Sequence, residues 1–121
     1  MTVEKLAALL GAQALSRGEA GLSVTGCMVC DVMSRAIAGG FRGMAWITCM
    51  GSVNALAVSV MTGASCLILT DGLAPDEKTL ERAQNEKIWV LSARESAFTL
   101  AGRLYEAGLR QGNGAKTYER A

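Results

Sequence analysis

The sequence predicts one α/β domain with a parallel or mostly parallel sheet of about 4–5 strands and helices on both faces. In the second half, strand-like and helix-like segments alternate at roughly 20-residue spacing, which is typical of right-handed crossovers between parallel strands. Residues 64–70 form a continuous apolar run, as expected of a central strand covered on both faces. Fourteen glycines against one proline suit tight turns between strands and helices.

The first half of the chain is predicted to contain two helices and three strands. Val3, Leu6 and Leu10 recur at helical spacing behind Thr2, a possible N-cap, and Gly11 ends this helix. Asp31 is a good N-cap for a second, short helix. The predicted elements are a helix over 3–10, strands over 12–15 and 22–29, a helix over 32–38 and a strand over 44–49.

The second half is predicted to contain three helices and two strands. The helix over 53–62 is expected to be buried on almost all sides, because apolar residues cover more than one of its faces. These residues are Val53, Ala55, Leu56, Ala57, Val58, Val60 and Met61. The elements that follow are a strand over 64–70, a helix over 77–86, a strand over 88–91 and a helix that ends at 107.

The last helix carries its own boundary signals. Ser92 and Glu95 match the capping box S-x-x-E, and Gly108 ends the helix. Its inner face is predicted to consist of Phe98, Ala101, Leu104 and Tyr105. The domain is therefore expected to span residues 1–109, and residues 110–121 to form a flexible C-terminal tail.

Composition excludes several classes of function. The net charge is +1 and no basic stripe occurs, which argues against a nucleic-acid partner. Glycines and charges interrupt the apolar runs before they reach the length of a membrane span, and the N-terminus does not resemble a signal peptide. A cytoplasmic protein is expected. The chain has no histidine, so we expect neither an enzyme nor a bound cofactor.

A binding site is predicted in the loops that follow the central strands. In parallel sheets, ligands bind outside the carboxyl ends of the strands, where the N-termini of helices present free N–H groups. The loops over 49–54, 70–76 and 92–96 occupy this position. Their candidate residues are Gly51, Ser52, Asn54, Thr70, Asp71, Gly72, Arg94 and Ser96. The alternative interpretation is that these residues only form turns and caps.

Cys27 and Cys30 form a C-x-x-C motif that could be a redox pair or part of a metal site. A complete zinc or iron–sulfur site needs further ligands, and a second C-x-x-C or a histidine pair is missing. In an extended strand, residues three apart point to opposite faces, so the pair would also require a local turn. A structural role for both cysteines is the alternative.

A resemblance to a known family covers residues 2–109. It depends on the order of strands and helices and on short motifs along the chain. These motifs are Asp31-Val32-Met33-Ser34, Trp46-Ile47-Thr48, Asn54, Thr70-x-Gly72, Pro75-Asp76 and Gly102-Arg103-Leu104-Tyr105. In these residues the chain resembles the DRTGG domain, which is similar in fold to the N-terminal domain of HPr kinase/phosphorylase. The short, free-standing members of the family resemble it best.

The chain departs from the family pattern at two places. It has Ser52-Val53 where the family has Asp-Arg, and Thr70-Asp71-Gly72 where the family has Thr-Gly-Gly. A carboxylate at that turn would repel a phosphate bound at the neighbouring helix N-terminus. The resemblance implies regulation and dimerisation, and the departures predict that any recognition of phosphate by these loops is lost or altered.

Three functions follow from the sequence. The first is a non-catalytic regulatory or small-ligand-binding domain that forms a homodimer and binds a small metabolite through the three loops. The second is a redox or metal-binding accessory protein of a hydrogenase-type electron-transfer system, which would use Cys27 and Cys30 and have a redox enzyme as its partner. The third is a purely structural dimerisation module.

Overall fold

Five helices and five strands occur in residues 1–112, the part of the chain that this computed structural model describes. In chain order they are α1 (Val3–Leu10), β1 (Gln13–Ser16), β2 (Gly26–Val29), α2 (Met33–Gly39), β3 (Met44–Thr48), α3 (Val53–Thr62), β4 (Cys66–Leu69), α4 (Glu77–Asn85), β5 (Val90–Ser92) and α5 (Ala97–Glu106). From residue 113 onward, the predicted flexible tail lies outside the described residues. Before that point, the Gln111 carbonyl accepts a hydrogen bond of 2.9 Å from the Cys27 backbone N–H.

The strands form one sheet in the order β1-β5-β4-β3-β2. Strands β2, β3, β4 and β5 run parallel to one another. Strand β1 pairs with β5 in the antiparallel direction. The parallel strands follow one another in sequence order, so right-handed crossovers place α2, α3 and α4 on the same face. The α/β class and the mostly parallel sheet predicted from the sequence are confirmed.

Two apolar cores flank the sheet. On one face, Trp46, Leu67 and Leu69 pack against α2, α3 and α4. On the other face, Ile47 and Ile68 pack against α1 and α5. Successive residues of β3 and β4 alternate between the two cores, as the pleat of a strand requires. The predicted placement of helices on both faces is therefore confirmed.

The predicted cap of α2 is wrong. Helix α2 begins at Met33 behind Val32, and no side chain caps it. The Asp31 carboxylate lies at the end of β3, where it accepts hydrogen bonds from the Thr48 hydroxyl and the Cys49 backbone N–H. Asp31 therefore binds two donors at the end of β3 and does not cap α2. The sequence around position 31 gives no sign of these donors.

The predicted capping box of the last helix is also wrong. Ser96 caps α5, because its hydroxyl oxygen accepts a hydrogen bond from the Thr99 backbone N–H. The Ser92 hydroxyl donates to the Leu73 carbonyl at 2.7 Å, and Glu95 forms an ion pair with Arg103. The helix therefore starts four residues later than a cap at position 92 would require.

Two helices expose apolar residues that were predicted to be buried. Helix α3 buries Ala55, Leu56, Val58 and Ser59. Its residues Val53, Val60 and Met61 remain 43, 58 and 66 % exposed. On α5, Leu100 and Leu104 are buried, whereas Phe98 is 89 % exposed and Tyr105 is 56 % exposed. The sheet covers one side of each helix, and the opposite side faces solvent.

Strand β2 is shorter than the predicted strand over 22–29. The residues before Gly26 pair with the N-terminus of the chain: Ser23 forms an isolated bridge with Thr2, and the Val24 N–H donates to the Met1 carbonyl at 2.7 Å. A run of β-branched residues does not distinguish a sheet strand from an extended segment that pairs elsewhere.

Candidate functional site

The three predicted loops lie at one edge of the sheet, where β3, β4 and β5 end. The first two loops are in direct contact, because a Cβ added at Gly51 would lie 3.1 Å from the Cα of Pro75. The second and third loops are joined by backbone hydrogen bonds. The structure thus brings together segments that are separated by about one strand–helix unit in the sequence.

Asp31 is at the start of this edge, next to the end of β3. Its Oδ1 accepts the Thr48 hydroxyl at 2.8 Å and the Cys49 N–H at 3.0 Å. These hydrogen bonds, the backbone one first, lower the pKa of the Asp31 carboxyl below its usual value. The carboxylate is exposed and fixed in orientation, so it offers a permanent negative charge at neutral pH.

The end of β4 carries a second carboxylate, Asp71. It lies in a turn in which the Leu73 N–H donates to the Thr70 carbonyl at 2.9 Å, and Asp71 and Gly72 have φ values of 57° and 69°. Two successive left-handed residues define a type I′ turn, for which aspartate followed by glycine is a preferred pair. The Thr70 hydroxyl donates to Asp71 Oδ2 at 2.6 Å. This carboxylate is therefore held by a threonine, as Asp31 is.

The backbone donors of this turn are already used. The Asp71 N–H donates to the Glu95 carbonyl at 3.0 Å, and the Gly72 N–H donates to the Ala93 carbonyl at 2.8 Å. A phosphate-binding loop needs such N–H groups to point at the anion. Because the turn between β4 and α4 gives these two donors to the third loop, it cannot use them to bind an anion.

Ser52 and Ser96 act as helix caps. The Ser52 hydroxyl oxygen accepts the Ala55 N–H at 3.2 Å at the start of α3. Ser96 has the same role at the start of α5. Each side chain satisfies a donor that a helix N-terminus otherwise leaves unpaired. These two residues therefore shape the edge and are less suited to contacting a ligand.

Cys49, Asn54 and Arg94 are exposed at or beside the edge. The pKa of the Cys49 thiol is raised by desolvation and, after that, by the negative charge of Asp31, with a smaller contribution from Asp71. Cys49 thus lies in the field of both carboxylates. Asn54 lies in the first turn of α3, and Arg94 lies in the loop between β5 and α5.

Cys27 and Cys30 are on opposite sides of the sheet. Cys27 packs against the core that contains Ile47, and Cys30 packs against the core that contains Trp46. Burial raises the pKa of the Cys27 thiol to about 12. The structure does not bring the two thiols together, and the local turn that a redox pair would need is absent at residues 27–29, which form β2.

Two kinds of feature are absent from residues 1–112. No group of three or more His, Cys, Asp or Glu side chains is placed there to hold a metal ion. No helix in the same part of the chain has the length and apolarity needed to cross a membrane.

The sequence analysis did not predict that Asp31, Thr48 and Cys49 form one cluster. The signal was present, because Asp31 follows β2 and Cys49 follows β3, and the carboxyl ends of parallel strands meet at one edge. Strand order was the missing information. Until β2 is known to be the neighbour of β3, the two positions are simply 18 residues apart.

The stability of the domain should depend on pH through Asp31. A carboxyl whose pKa is lowered by folding stabilises the folded state above its unfolded pKa, about 4, and this contribution is lost as the pH falls through the folded pKa. Asp31→Asn should therefore be less stable than the wild type at pH 7, by about 1 kcal/mol or less for an exposed group. The difference should shrink below pH 4, as measured by urea unfolding between pH 7 and pH 3.

A second variant tests the cause of this pH dependence. Thr48→Val keeps the carboxylate and removes the hydroxyl that donates to it. It should reduce the same acid-sensitive component of stability only in part, because the Cys49 N–H remains. A stability difference between Asp31→Asn and the wild type that is equal at pH 7 and pH 3 would rule out the assigned role of the charge.

Comparison with known proteins identifies a family and a solved structure to which the chain is similar. The family model described as "DRTGG domain" matches residues 5–107. A crystal structure of the CBS and DRTGG domains of the regulatory region of Clostridium perfringens pyrophosphatase, complexed with its activator diadenosine tetraphosphate, matches with a TM-score of 0.68 and 19 % sequence identity. None of the curated proteins compared with the chain matches it.

The structural match covers 85 % of this chain and 45 % of the clostridial one. The match therefore spans less than half of that clostridial chain. At 19 % identity the similarity establishes the fold and no more.

Proposed function

The chain belongs to the DRTGG domain family, and we propose that it is a non-catalytic regulatory domain that binds a small ligand at the carboxyl edge of its sheet. The clostridial structure of the same fold is part of a regulatory region that is complexed with an activator, which supports a regulatory role. A location in the cytoplasm stays a prediction from the sequence.

The observation that carries the proposal is the pair of carboxylates around Cys49. Asp31 and Asp71 follow β2 and β4 at the same edge of the sheet, and a threonine hydroxyl donates to each of them. The negative charge of both carboxylates contributes to raising the pKa of the Cys49 thiol. The backbone donors of the turn at 70–73 are used within the protein. The part of the edge formed by Asp31 and Asp71 therefore offers mainly acceptors, so the ligand that fits it carries hydrogen-bond donors or a positive charge.

The same residues support a non-catalytic role. A general base or nucleophile works best when its pKa lies near the operating pH and its partner group is within hydrogen-bond distance. Asp31 has its pKa lowered and Cys49 has its pKa raised, so their pKa values are shifted away from neutrality in opposite directions. The pair suits binding better than proton transfer or nucleophilic attack.

Thermal unfolding with a defined set of compounds tests the proposal. One group carries donors or positive charge (amino acids, diamines and polyamines), and the other consists of nucleoside mono-, di- and triphosphates. A ligand at 100 times its dissociation constant stabilises the folded state by about 2.7 kcal/mol, which raises the melting temperature by several degrees. We expect the first group to contain the compounds that do so.

Matched variants show where on the protein the ligand binds. Asp31→Asn and Asp71→Asn should abolish the shift, whereas Glu106→Gln, which removes an exposed carboxylate at the end of α5, should preserve it. A shift produced by nucleotides and retained in Asp71→Asn would contradict the proposed ligand class. No shift with any compound of either group would contradict ligand binding and favour the purely structural module.

The proposed regulatory domain acts as a homodimer. The uncharged, exposed side of α3 supports this association. The alternative of a redox or metal-binding accessory protein is less well supported, because Cys27 and Cys30 are on opposite faces of the sheet.

A further inference from the structure

The two carboxylates at the carboxyl edge of the sheet are each bound by the protein through one oxygen. The Thr48 hydroxyl and the Cys49 N–H both donate to Oδ1 of Asp31. The Thr70 hydroxyl donates to Oδ2 of Asp71. These bonds leave Oδ2 of Asp31 and Oδ1 of Asp71 open, and both side chains are exposed. The Cys49 thiol beside Asp31 is a weak donor that a cation can displace. Each carboxylate therefore offers one oxygen to a ligand.

Neither carboxylate is neutralised by a cation from the part of the chain that the structure describes. The two ion pairs within residues 1–112 involve α4 and α5, and they include neither Asp31 nor Asp71. Arg94 is exposed in the loop after β5, and β4 separates that strand from β3. The part of the edge around the end of β3 therefore keeps two negative charges, which a ligand with positive groups can match.

The sheet sets the distance between the two charges. Asp31 follows β2 and Asp71 follows β4, and these strands are the two neighbours of β3. Adjacent strands are about 4.8 Å apart, so the axes of β2 and β4 are about 10 Å apart. Because Asp31 bends towards β3 to bind Thr48 and Cys49, the gap between the carboxylates is shorter than this. One ammonium group spans about 6 Å at most between two acceptors. Two ammonium groups on a short chain match the gap better than one.

The hydrogen bonds within the protein also select the kind of cation. A guanidinium group binds a carboxylate most strongly through two parallel N–H bonds, one to each oxygen. At both aspartates a protein donor already occupies one of the two oxygens. An ammonium group is a compact charge that can bind through a single oxygen. The site therefore favours ammonium over guanidinium.

We propose that the ligand of this edge is an aliphatic diamine or polyamine, with one ammonium group on Oδ2 of Asp31 and another on Oδ1 of Asp71. The proposal rests on the ligand-binding function proposed above. It adds the number, the kind and the placement of the charged groups of the ligand.

NMR titration of the isotope-labelled full chain with three matched compounds tests the ligand class. Putrescine carries two ammonium groups on a four-carbon chain, butylamine lacks one of them, and the bis-guanidine analogue of putrescine replaces both by guanidinium. We expect putrescine to bind at least about tenfold more tightly than either of the others, because only putrescine makes a charge-assisted hydrogen bond of full strength at each carboxylate. The amide signals of Cys49 and Gly72 should shift on binding.

Variants test the contact at each carboxylate. In Asp71→Asn, putrescine should bind no more tightly than butylamine, because one ammonium group has lost its partner, and Asp31→Asn should have the same effect. Thr70→Val frees Oδ2 of Asp71, so it should reduce the advantage of putrescine over the bis-guanidine and keep its advantage over butylamine. Glu106→Gln is the control for loss of an exposed carboxylate, and it should leave all three affinities unchanged.

The outcomes separate this inference from the proposed function. Equal affinities for putrescine and butylamine would overturn the two-site contact. A bis-guanidine that binds as tightly as putrescine would overturn the preference for ammonium. In both cases a positively charged ligand still binds, so the proposed function stands. If none of the three compounds binds, the inference fails, and the wider set of compounds in the thermal unfolding experiment decides whether the proposed function fails with it.

Discussion

Replacing Trp46 with alanine is expected to reduce the free energy of unfolding by about 3–5 kcal/mol. Trp46 is fully buried in the central strand β3, where it packs in the core beneath α2, α3 and α4. Removing an indole there leaves a cavity that a rigid sheet cannot close. Because a domain of this size has a stability of about 5–15 kcal/mol, the variant should be close to unfolding at 37 °C. Urea unfolding monitored by circular dichroism measures the loss.

Trp46→Phe separates packing from hydrogen bonding. The indole Nε1 donates to the Cys30 carbonyl at 2.9 Å, and phenylalanine cannot make this bond. We expect it to lose about 1–3 kcal/mol, since a partly buried carbonyl is left without its donor while much of the apolar volume remains. If phenylalanine were as destabilising as alanine, the hydrogen bond and not the packing would dominate.

Gly40→Ala is the second change with a large expected effect. A Cβ at position 40 would lie 2.5 Å from the Ala36 carbonyl oxygen and 2.7 Å from the Thr62 Cγ2. Gly40 lies where the end of α2 meets the end of α3, so the methyl group must push the helices apart. Overpacking of this kind costs about 1–3 kcal/mol. Chemical denaturation should show a lower midpoint with an unchanged slope.

The same substitution at Gly102 should have the opposite sign. Gly102 is exposed within α5, and a Cβ there would meet no atom within 4 Å. Alanine in the interior of a helix is favoured over glycine by about 0.5–1 kcal/mol, so Gly102→Ala should stabilise the domain by this amount. If Gly40→Ala were neutral or stabilising, the steric contact assigned to Gly40 would be ruled out.

The sequence predicted the order and type of the main elements because hydrophobic periodicity reports local burial. The strand at 64–70 was recognised because it is apolar on both faces, and Leu67 and Ile68 do pack into different cores. The helix at 53–62 was recognised by its period, and its bounds were correct. In both cases the pattern depends on residues that are close in the sequence.

The errors in capping involve partners that are distant in the sequence, and the error on α3 involves a partner that the described chain does not supply. Asp31 and Ser92 were assigned as caps, but their hydrogen bonds go to Thr48 and Leu73. The exposed side of α3 was predicted to be buried, because each apolar residue was assumed to be covered by another part of the same chain. Periodicity shows that a residue is apolar, and it cannot show whether the same chain covers it.

The candidate site was predicted at the level of loops, and the chemistry within the loops was not. The rule that ligands bind at the carboxyl ends of parallel strands selected the three segments. The structure shows that Ser52 and Ser96 serve as caps and that Asp71 and Gly72 donate their N–H groups to another loop. These hydrogen bonds depend on which donor and acceptor atoms lie within 3.5 Å of each other in the fold. The order of residues along the chain does not determine this.

The antiparallel pairing of β1 with β5 has a consequence for the order in which the chain folds. Gln13 pairs with Ser92, so the N-terminal strand has its partner near the other end of the domain. Strands β2, β3 and β4 pair with neighbours that follow directly, at low cost in loop-closure entropy. During synthesis these strands can assemble first. Strand β1 leaves the ribosome before the other strands, and we expect it to be the last strand of the sheet to become ordered.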